Sequence, residues 1–192
     1  MIPDTEKIEK RLLELQERKD RVLLSARDVI RLAGKAITAL HASDARKSGA
    51  LLKSLKAEMA KLRKMEKGFE YHTLQAHQEY VEALTLYWII NKRRFPRLAE
   101  LGEDEVAYLL GMMDVVGELK RKAFEELRTG RLKEAERYYG LMTELYDSTY
   151  AMKFAGSLVP DFRKKQDVAR IQLEHLRSEL LFAKRHSRWH TG

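Results

Sequence analysis

The sequence predicts an all-α protein, a bundle of six to seven helices in a single domain that spans residues 1–192. Three observations support this. Apolar residues recur at helical spacing along almost the whole chain, and no stretch alternates strictly between apolar and polar residues as a half-buried strand would. Only ten Gly and three Pro interrupt the 192 residues. Hydrophobic residues make up 44% of the chain, too large a share for a disordered protein.

The first two predicted helices fill the N-terminal part of the chain. The first begins at Asp4 or Thr5, which can cap it, and runs to about His41. The second begins after Asp44 and ends at Gly68. The apolar stripe expected on the first helix consists of Ile8, Leu12, Leu15, Val22, Ala26, Val29, Ala33 and Ile37.

Four more helices are predicted in the rest of the chain. The third, about 71–92, and the fourth, about 103–129, are strongly apolar, which is typical of helices buried inside a bundle. The fifth covers about 132–155, and Gly156 is expected to follow its C-terminus. The sixth runs from Pro160 to about Arg185.

The composition excludes several classes of protein. A chain without cysteine has no disulfide framework, zinc ribbon or thiol nucleophile. No apolar stretch approaches the ~18 residues of a membrane span, and the first residues lack the apolar core of a signal peptide. We therefore expect a cytoplasmic protein without membrane association. The 37 Lys and Arg against 29 Asp and Glu give a formal charge of +8, which indicates polyanionic partners.

Four acids lie on the two most apolar predicted helices. Glu79 and Glu82 are about 60° apart around the third helix, and Asp114 and Glu118 about 40° apart around the fourth, so each pair can point one way. Unpaired carboxylates are costly in an apolar bundle, so each acid needs a partner.

Two interpretations of the acids stay open on spacing alone. Arginines or an aqueous groove neutralise them, or they bind Mg²⁺ or Mn²⁺, hard cations that prefer oxygen ligands. A ferritin-like di-iron centre is not favoured, because it needs Glu-x-x-His and none of the six histidines has a Glu three residues before it.

Basic residues concentrate on the first two helices, in the link after the third helix and in the tail, and two of these clusters are candidates for binding nucleic acid. Arg27, Arg31 and Lys35 are spaced i, i+4, i+8 and form a stripe along the first helix. The basic link, residues 92–97, follows the third helix. Both clusters favour binding of a phosphate backbone, independent of base sequence and sensitive to salt. The residues of the link expected to bind nucleic acid are Lys92, Arg93 and Arg94.

Three blocks of the sequence resemble the translin family, and within it the Trax (translin-associated factor X) branch and its archaeal relatives. The first is 24–41, which begins LSARD and ends in a histidine. The second is 78–83, QEYVEA, and the third is 108–119, YLLGMMDVVGEL. Weaker similarity continues through 145–147 and the last helix, so the resemblance covers most of the chain.

The resemblance implies an activity. In Trax the acids of the second and third blocks bind Mg²⁺ and catalyse RNA cleavage, whereas translin lacks the full set and binds nucleic acid. This chain has all four, which implies a Mg²⁺-dependent (or Mn²⁺-dependent) endoribonuclease acting on single-stranded RNA. Glu82 and Glu118 would be direct ligands and Asp114 a ligand or water orienter. Glu79 would be a base or a ligand of a second metal ion.

A second hypothesis, also implied by the resemblance, is a non-catalytic protein that binds single-stranded DNA or RNA, like translin, and whose four acids have a structural role.

In either case we expect a homo-oligomer. The third and fourth helices are apolar on more faces than a six-helix monomer can easily cover, and such surfaces usually mark interfaces. The resemblance suggests a closed octamer with nucleic acid inside.

Overall fold

The structure, a computed structural model, describes residues 3–189 and the side chains of residues 3–185. This part of the chain is all-α, as predicted, with seven helices and no strand. The helices are α1 (Thr5–His41), α2 (Ala45–Met65), α3 (Glu70–Lys92), α4 (Leu98–Leu101), α5 (Glu105–Arg128), α6 (Leu132–Tyr150) and α7 (Phe162–Trp189).

The chain divides into two compact units, Met1–Tyr80 and Val81–Gly192, with the boundary inside α3. The expectation of one domain over residues 1–192 stays a prediction. None of the helices described is long and apolar enough to cross a membrane.

In the N-terminal unit, α1 and α2 pack along each other. Val22 and Val29 of α1 and Leu55 and Met59 of α2 are completely buried. The predicted α1 stripe is correct only from Val22 onward, because residues 3–17 are all exposed. The reason is length: α1 has 37 residues and α2 has 21, so α1 is longer by about 24 Å and its first turns extend past the end of α2.

The helix starts show which predicted caps form. The Asp44 carboxylate accepts a hydrogen bond from the backbone N–H of Lys47 at 2.9 Å, so the predicted cap of α2 is confirmed. Asp104 caps α5 in the same way. Asp4 precedes α1 but its side chain makes no cap hydrogen bond, so that expected cap is wrong for Asp4.

In the C-terminal unit, α5 packs against both α6 and α7, which also contact each other. Leu110 and Leu119 of α5, Met142 of α6 and Leu176 of α7 are buried to within 1%. The predicted apolar part of α3 is buried too, with Leu86 and Ile89 among its members.

One additional helix and two helix boundaries in this unit differ from the prediction. The short α4 was not expected. α6 ends at Tyr150 rather than near residue 155, so Gly156 does not follow its C-terminus, and α7 begins at Phe162, two residues after Pro160. Gln166 of α7 caps the end of α6, because its side-chain amide donates to the Thr149 carbonyl at 2.6 Å. A partner 17 residues away leaves no local signal.

The apolar surface that remains exposed is not where the sequence pattern placed it. The apolar side chains of α3 and α5 are largely buried within the single chain, so they are not the surface on which an oligomer would form. Large apolar side chains are instead exposed on the first turns of α1 and along α7. These include Ile8, Leu12, Leu13 and Leu15 on α1 and Val168, Ile171, Leu181 and Phe182 on α7.

Candidate functional site

Two of the four predicted acids, Asp114 and Glu118, lie one turn apart on α5. Their neighbours Val115, Val116 and Leu119 are buried, which fixes the face of the helix that packs inward. The two carboxylates lie beside that face and are 32% and 22% exposed. The predicted pairing of these acids on one side of a helix therefore agrees with the structure.

Asp114 is paired with Lys165 in the first turn of α7. The Lys165 ammonium donates to both carboxylate oxygens, at 2.6 Å from Oδ2 and closer still to Oδ1. Burial raises the pKa of Asp114 above its ordinary value, and the Lys165 ammonium opposes that shift only in part. The carboxylate is thus a poorly solvated anion held by one cation.

The other acids have different surroundings. Glu118 lies 3.8 Å from the guanidinium of Arg121, which is 58% exposed, so this ion pair is weak. Glu79 and Glu82 lie one turn apart on α3, and both are partly buried. Glu79 belongs to the N-terminal unit and Glu82 to the C-terminal unit.

The chemistry of these acids fits Mg²⁺ or Mn²⁺. Each acid offers only oxygen ligands, and Asp114 already chelates a cation, the Lys165 ammonium. Within residues 3–185, no three His, Asp or Glu side chains lie close enough together to hold a metal ion. The four-carboxylate metal site therefore stays a prediction.

A cavity of about 270 Å³ adjoins Asp114 between α5 and α7. Gly117 faces Gln172 of α7, since a Cβ added at Gly117 would lie 3.7 Å from the Gln172 amide nitrogen, an ordinary van der Waals contact. Gln172 Oε1 is buried and has no hydrogen-bond partner among the described residues. The polar or glycine residues that line the cavity are Asp114, Gly117, Asp161, Lys164, Lys165 and Gln172.

Arg31 and Lys35 of the predicted basic stripe line an open groove between α1 and α2, about 580 Å³ in volume. Lys47, in the first turn of α2, adds a third cation to this groove, which we call the basic groove. Gly34 lies between the first two, and a Cβ added there would meet nothing within 4 Å. Arg27 is exposed one turn earlier and does not line the groove.

The cations of the basic groove are only lightly neutralised. Arg31 pairs with Asp28 on its own helix, at 2.9 Å and largely exposed to water. Sequence reasoning missed Lys47 as a partner of the stripe. The sequence does contain a signal for Lys47, because it lies three residues after the predicted cap Asp44. A tight turn there brings the start of α2 beside the end of α1.

In the described part of the chain, two arginines of the basic link, unlike the lysines of the basic groove, are engaged in ion pairs with glutamates. Arg93 pairs with Glu134 at 3.0 Å, and Arg94 makes a two-pronged ion pair with Glu100 at 2.9 and 2.7 Å. The Arg94 guanidinium also lies 4.4 Å from the centre of the Trp88 ring. Hydrogen bonds from the Arg94 guanidinium and the Arg97 backbone N–H lower the pKa of Glu100 to about 2. Lys92 is exposed at the end of α3.

Comparison with known proteins agrees with this fold. The chain is 31% identical over 168 residues to protein MJ0175 of Methanocaldococcus jannaschii, covering 85% of this chain and 75% of that protein. The crystal structure of AfC3PO is 32% identical, with a TM-score of 0.84, covering 93% of this chain and 96% of that one.

Two further solved structures are similar. A structure of AfC3PO in complex with duplex RNA is 30% identical with a TM-score of 0.82, covering 93% of this chain and 95% of that one. The crystal structure of apo-NeC3PO is 26% identical with the same TM-score, covering 95% and 98%. The model of the translin family matches residues 17–177. This chain therefore belongs to the translin family.

Proposed function

We propose that this protein binds RNA in the basic groove and cleaves it with Mg²⁺ or Mn²⁺ held by the acids of α3 and α5, as a member of the Trax-like, archaeal branch of the family. The observation that carries RNA binding is the groove itself, three cations around an open space in which a glycine gives access to the helix. The similar AfC3PO structure with duplex RNA supports it.

The groove cations have the right chemistry for this role. Lys35 and Lys47 present compact ammonium groups and Arg31 a forked guanidinium, and all three bind phosphate oxygens well. Interactions of this kind position a strand without reading its bases. We therefore expect single-stranded RNA and single-stranded DNA both to bind, with little sequence preference.

The acids supply the proposed cleavage. Glu82 and Glu118 would hold the metal ion, Asp114 would hold it or orient the attacking water, and Glu79 would act as a base or as a ligand of a second ion. An ion held there would supply polarisation of a phosphate oxygen and a bound water of lowered pKa. The products are 3′-hydroxyl and 5′-phosphate ends. The paired, partly buried positions of Asp114 and Glu118 on α5 support this assignment.

Glu118→Gln tests the cleavage, because it keeps the side-chain volume and removes the charge that a hard cation needs. The matched control is Glu125→Gln, since Glu125 pairs with Arg128 at the same i, i+3 spacing on the same helix. Short single-stranded RNA is incubated with each variant in Mg²⁺ and in EDTA. We expect cleavage by the wild type and Glu125→Gln in Mg²⁺ only, and none by Glu118→Gln, while all three bind RNA.

The second candidate is a non-catalytic RNA- or DNA-binding protein, and the Asp114–Lys165 pair favours it, because an acid with a protein partner needs no metal. The two candidates predict different responses to Mn²⁺. A metal site makes the Tm of the wild type rise with added Mn²⁺, whereas structural acids leave it unchanged. Cleavage that persists in EDTA or in Glu118→Gln would also reject the metal-dependent nuclease.

We further propose that the functional form is a homo-oligomer, with a closed octamer as the specific expectation. The exposed apolar side chains of α1 and α7 support it, since a monomer in water gains nothing by exposing them. Light scattering on the purified protein measures the mass directly. A mass of 22.4 kDa at micromolar concentration would reject the oligomer.

A further inference from the structure

Lys165 holds Asp114 in the way a metal ion would, with one cation on both oxygens of the carboxylate. We propose that Lys165 is an internal competitor of the metal ion: its ammonium neutralises Asp114 in the metal-free protein, and a divalent cation displaces it towards Asp161. This inference rests on the proposed metal site.

The pairing has a physical reason. Asp114 is 32% exposed, and a carboxylate with so little water around it needs a compensating charge. Lys165 supplies that charge from α7, 51 residues further along the chain. Its own side chain is 22% exposed, so the ammonium lies at the edge of the packed region.

The structure also provides a place for the displaced ammonium. Lys165 and Asp161 both line the cavity of about 270 Å³ beside Asp114. Asp161 lies immediately before α7, with a left-handed backbone (φ 56°), and its carbonyl accepts a hydrogen bond from the Lys165 backbone N–H at 2.9 Å. The two residues are thus held close together at one wall of the same cavity. Rotation of the lysine side chain alone would therefore exchange one carboxylate for another.

Competition of this kind lowers metal affinity in a specific way. A divalent cation that binds Asp114 must first break a charged hydrogen bond on each oxygen. Removal of the ammonium should leave Asp114 unpaired, lower the stability of the metal-free protein and make the metal bind more tightly. A lysine that only held the fold together, or that positioned Asp114 for the metal, would give unchanged or weaker binding when removed.

The test measures Mn²⁺ binding by titration calorimetry to the full chain without RNA, so that it does not depend on cleavage. Lys165→Met keeps the length and apolar stem of the side chain, and Lys165→Gln is a second variant in case the first does not fold. Lys164→Met is the matched control, because Lys164 lines the same cavity while the ammonium that holds Asp114 is that of Lys165.

We expect Lys165→Met to bind Mn²⁺ with a Kd about tenfold lower than the wild type, because the ion no longer has to displace the ammonium and only part of that cost is recovered when the ammonium pairs with Asp161. Lys164→Met should match the wild type. Mn²⁺ should also raise the Tm of Lys165→Met by more than it raises that of the wild type.

The outcomes separate the two proposals. If the wild type binds Mn²⁺ and both Lys165 variants bind it equally or more weakly, the competition is wrong and the metal site stands. If neither the wild type nor the Lys165 variants bind Mn²⁺, the metal site and the competition are both wrong. Asp161→Asn should weaken Mn²⁺ binding, and an unchanged Kd would reject Asp161 as the destination.

Discussion

The two basic clusters of this chain differ in what their cations contact. In the basic groove, Arg31, Lys35 and Lys47 surround open space, and the carboxylate that pairs with Arg31 is exposed to water. In the basic link, Arg93 and Arg94 are each engaged by a glutamate, and Arg94 also stacks on an indole ring. The sequence makes the two clusters look alike.

The difference shows that a run of cations is not by itself a nucleic-acid site. A phosphate must compete with whatever already holds the cation, and a two-pronged arginine–carboxylate pair is a strong competitor. The lysines of the groove face open space instead. Our proposal therefore places RNA in the groove and gives Arg93 and Arg94 a structural role.

The largest effect is expected from removing the groove cations together. The triple variant Arg31→Ala, Lys35→Ala, Lys47→Ala should lose most of its affinity for single-stranded RNA, to the same extent for every sequence. Because each neutralised phosphate releases counterions, the slope of log K against log salt should become shallower by about one for each cation that no longer binds a phosphate. Fluorescence anisotropy over a salt series measures both quantities.

A loss confined to one RNA sequence would mean that the groove reads bases, and an unchanged salt slope would mean that it does not bind phosphate. Arg27→Ala is a useful single variant, because Arg27 lies on the same helix but does not line the groove. Its effect should be smaller than that of Lys35→Ala.

Two substitutions at Gly34 test the stability of the protein and its RNA binding separately. Glycine at an exposed position inside a helix is less stable than alanine by about 0.5–1 kcal/mol. A Cβ added at Gly34 meets nothing within 4 Å, so Gly34→Ala should stabilise the protein by that amount. The larger Gly34→Leu should block the groove and weaken RNA binding without unfolding the chain. Thermal unfolding and anisotropy on the same samples measure the two effects.

Gly140 is the matched control for this pair. It lies inside α6, is exposed, and likewise has open space where a side chain would be. Gly140→Ala should give the same gain in stability, and Gly140→Leu should leave RNA affinity unchanged. Equal reductions of RNA affinity at both glycines would show that the groove is not the binding surface.

The sequence predicts the fold well because helical period and cap residues are local signals. The all-α class, the cap of α2 by Asp44 and the C-terminus of α1 at His41 all follow from residues within one or two turns. The C-terminus of α6 does not, since the side chain that caps it comes from α7. The exposed N-terminal part of α1 is also missed, because a periodic stripe cannot show how far the partner helix extends.

The candidate site divides in the same way. Spacing alone predicts that Asp114 and Glu118 share one side of α5, and the structure agrees. Spacing cannot predict that Lys165 holds Asp114, because the two residues are 51 apart and meet only through packing. The same is true of the glutamates that hold the arginines of the link: Glu100 is 6 residues from Arg94, and Glu134 is 41 residues from Arg93. Whether a charged side chain is available to a ligand therefore depends on the ion pairs it makes in the folded protein.

A smaller effect is expected in the basic link. The double variant Arg93→Ala, Arg94→Ala should lower the Tm slightly, since it removes two ion pairs and the stacking on Trp88, all of them partly exposed. RNA affinity should stay close to that of the wild type, in contrast to the groove triple variant. A reduction of affinity comparable to the triple variant would return Arg93 and Arg94 to the binding surface and remove the distinction between the clusters.

The smallest effect concerns the acid that holds Arg94. The Arg94 guanidinium and the Arg97 backbone N–H lower the pKa of Glu100 from its ordinary value of 4.5 to about 2. For a lowered carboxyl pKa, the stabilisation of the folded state is complete above pH 4.5 and is lost as the pH falls through about 2.

In Arg94→Gln the largest cause of the lowered pKa, the hydrogen bonds from the guanidinium, is gone, so the pKa of Glu100 should rise towards its ordinary value. NMR titration of the Glu100 carboxyl measures it, with Glu125, which is held by Arg128, as the unchanged reference. If the pKa of Glu100 were already ordinary in the wild type, Arg94 would not be held by the carboxylate and would be available to RNA.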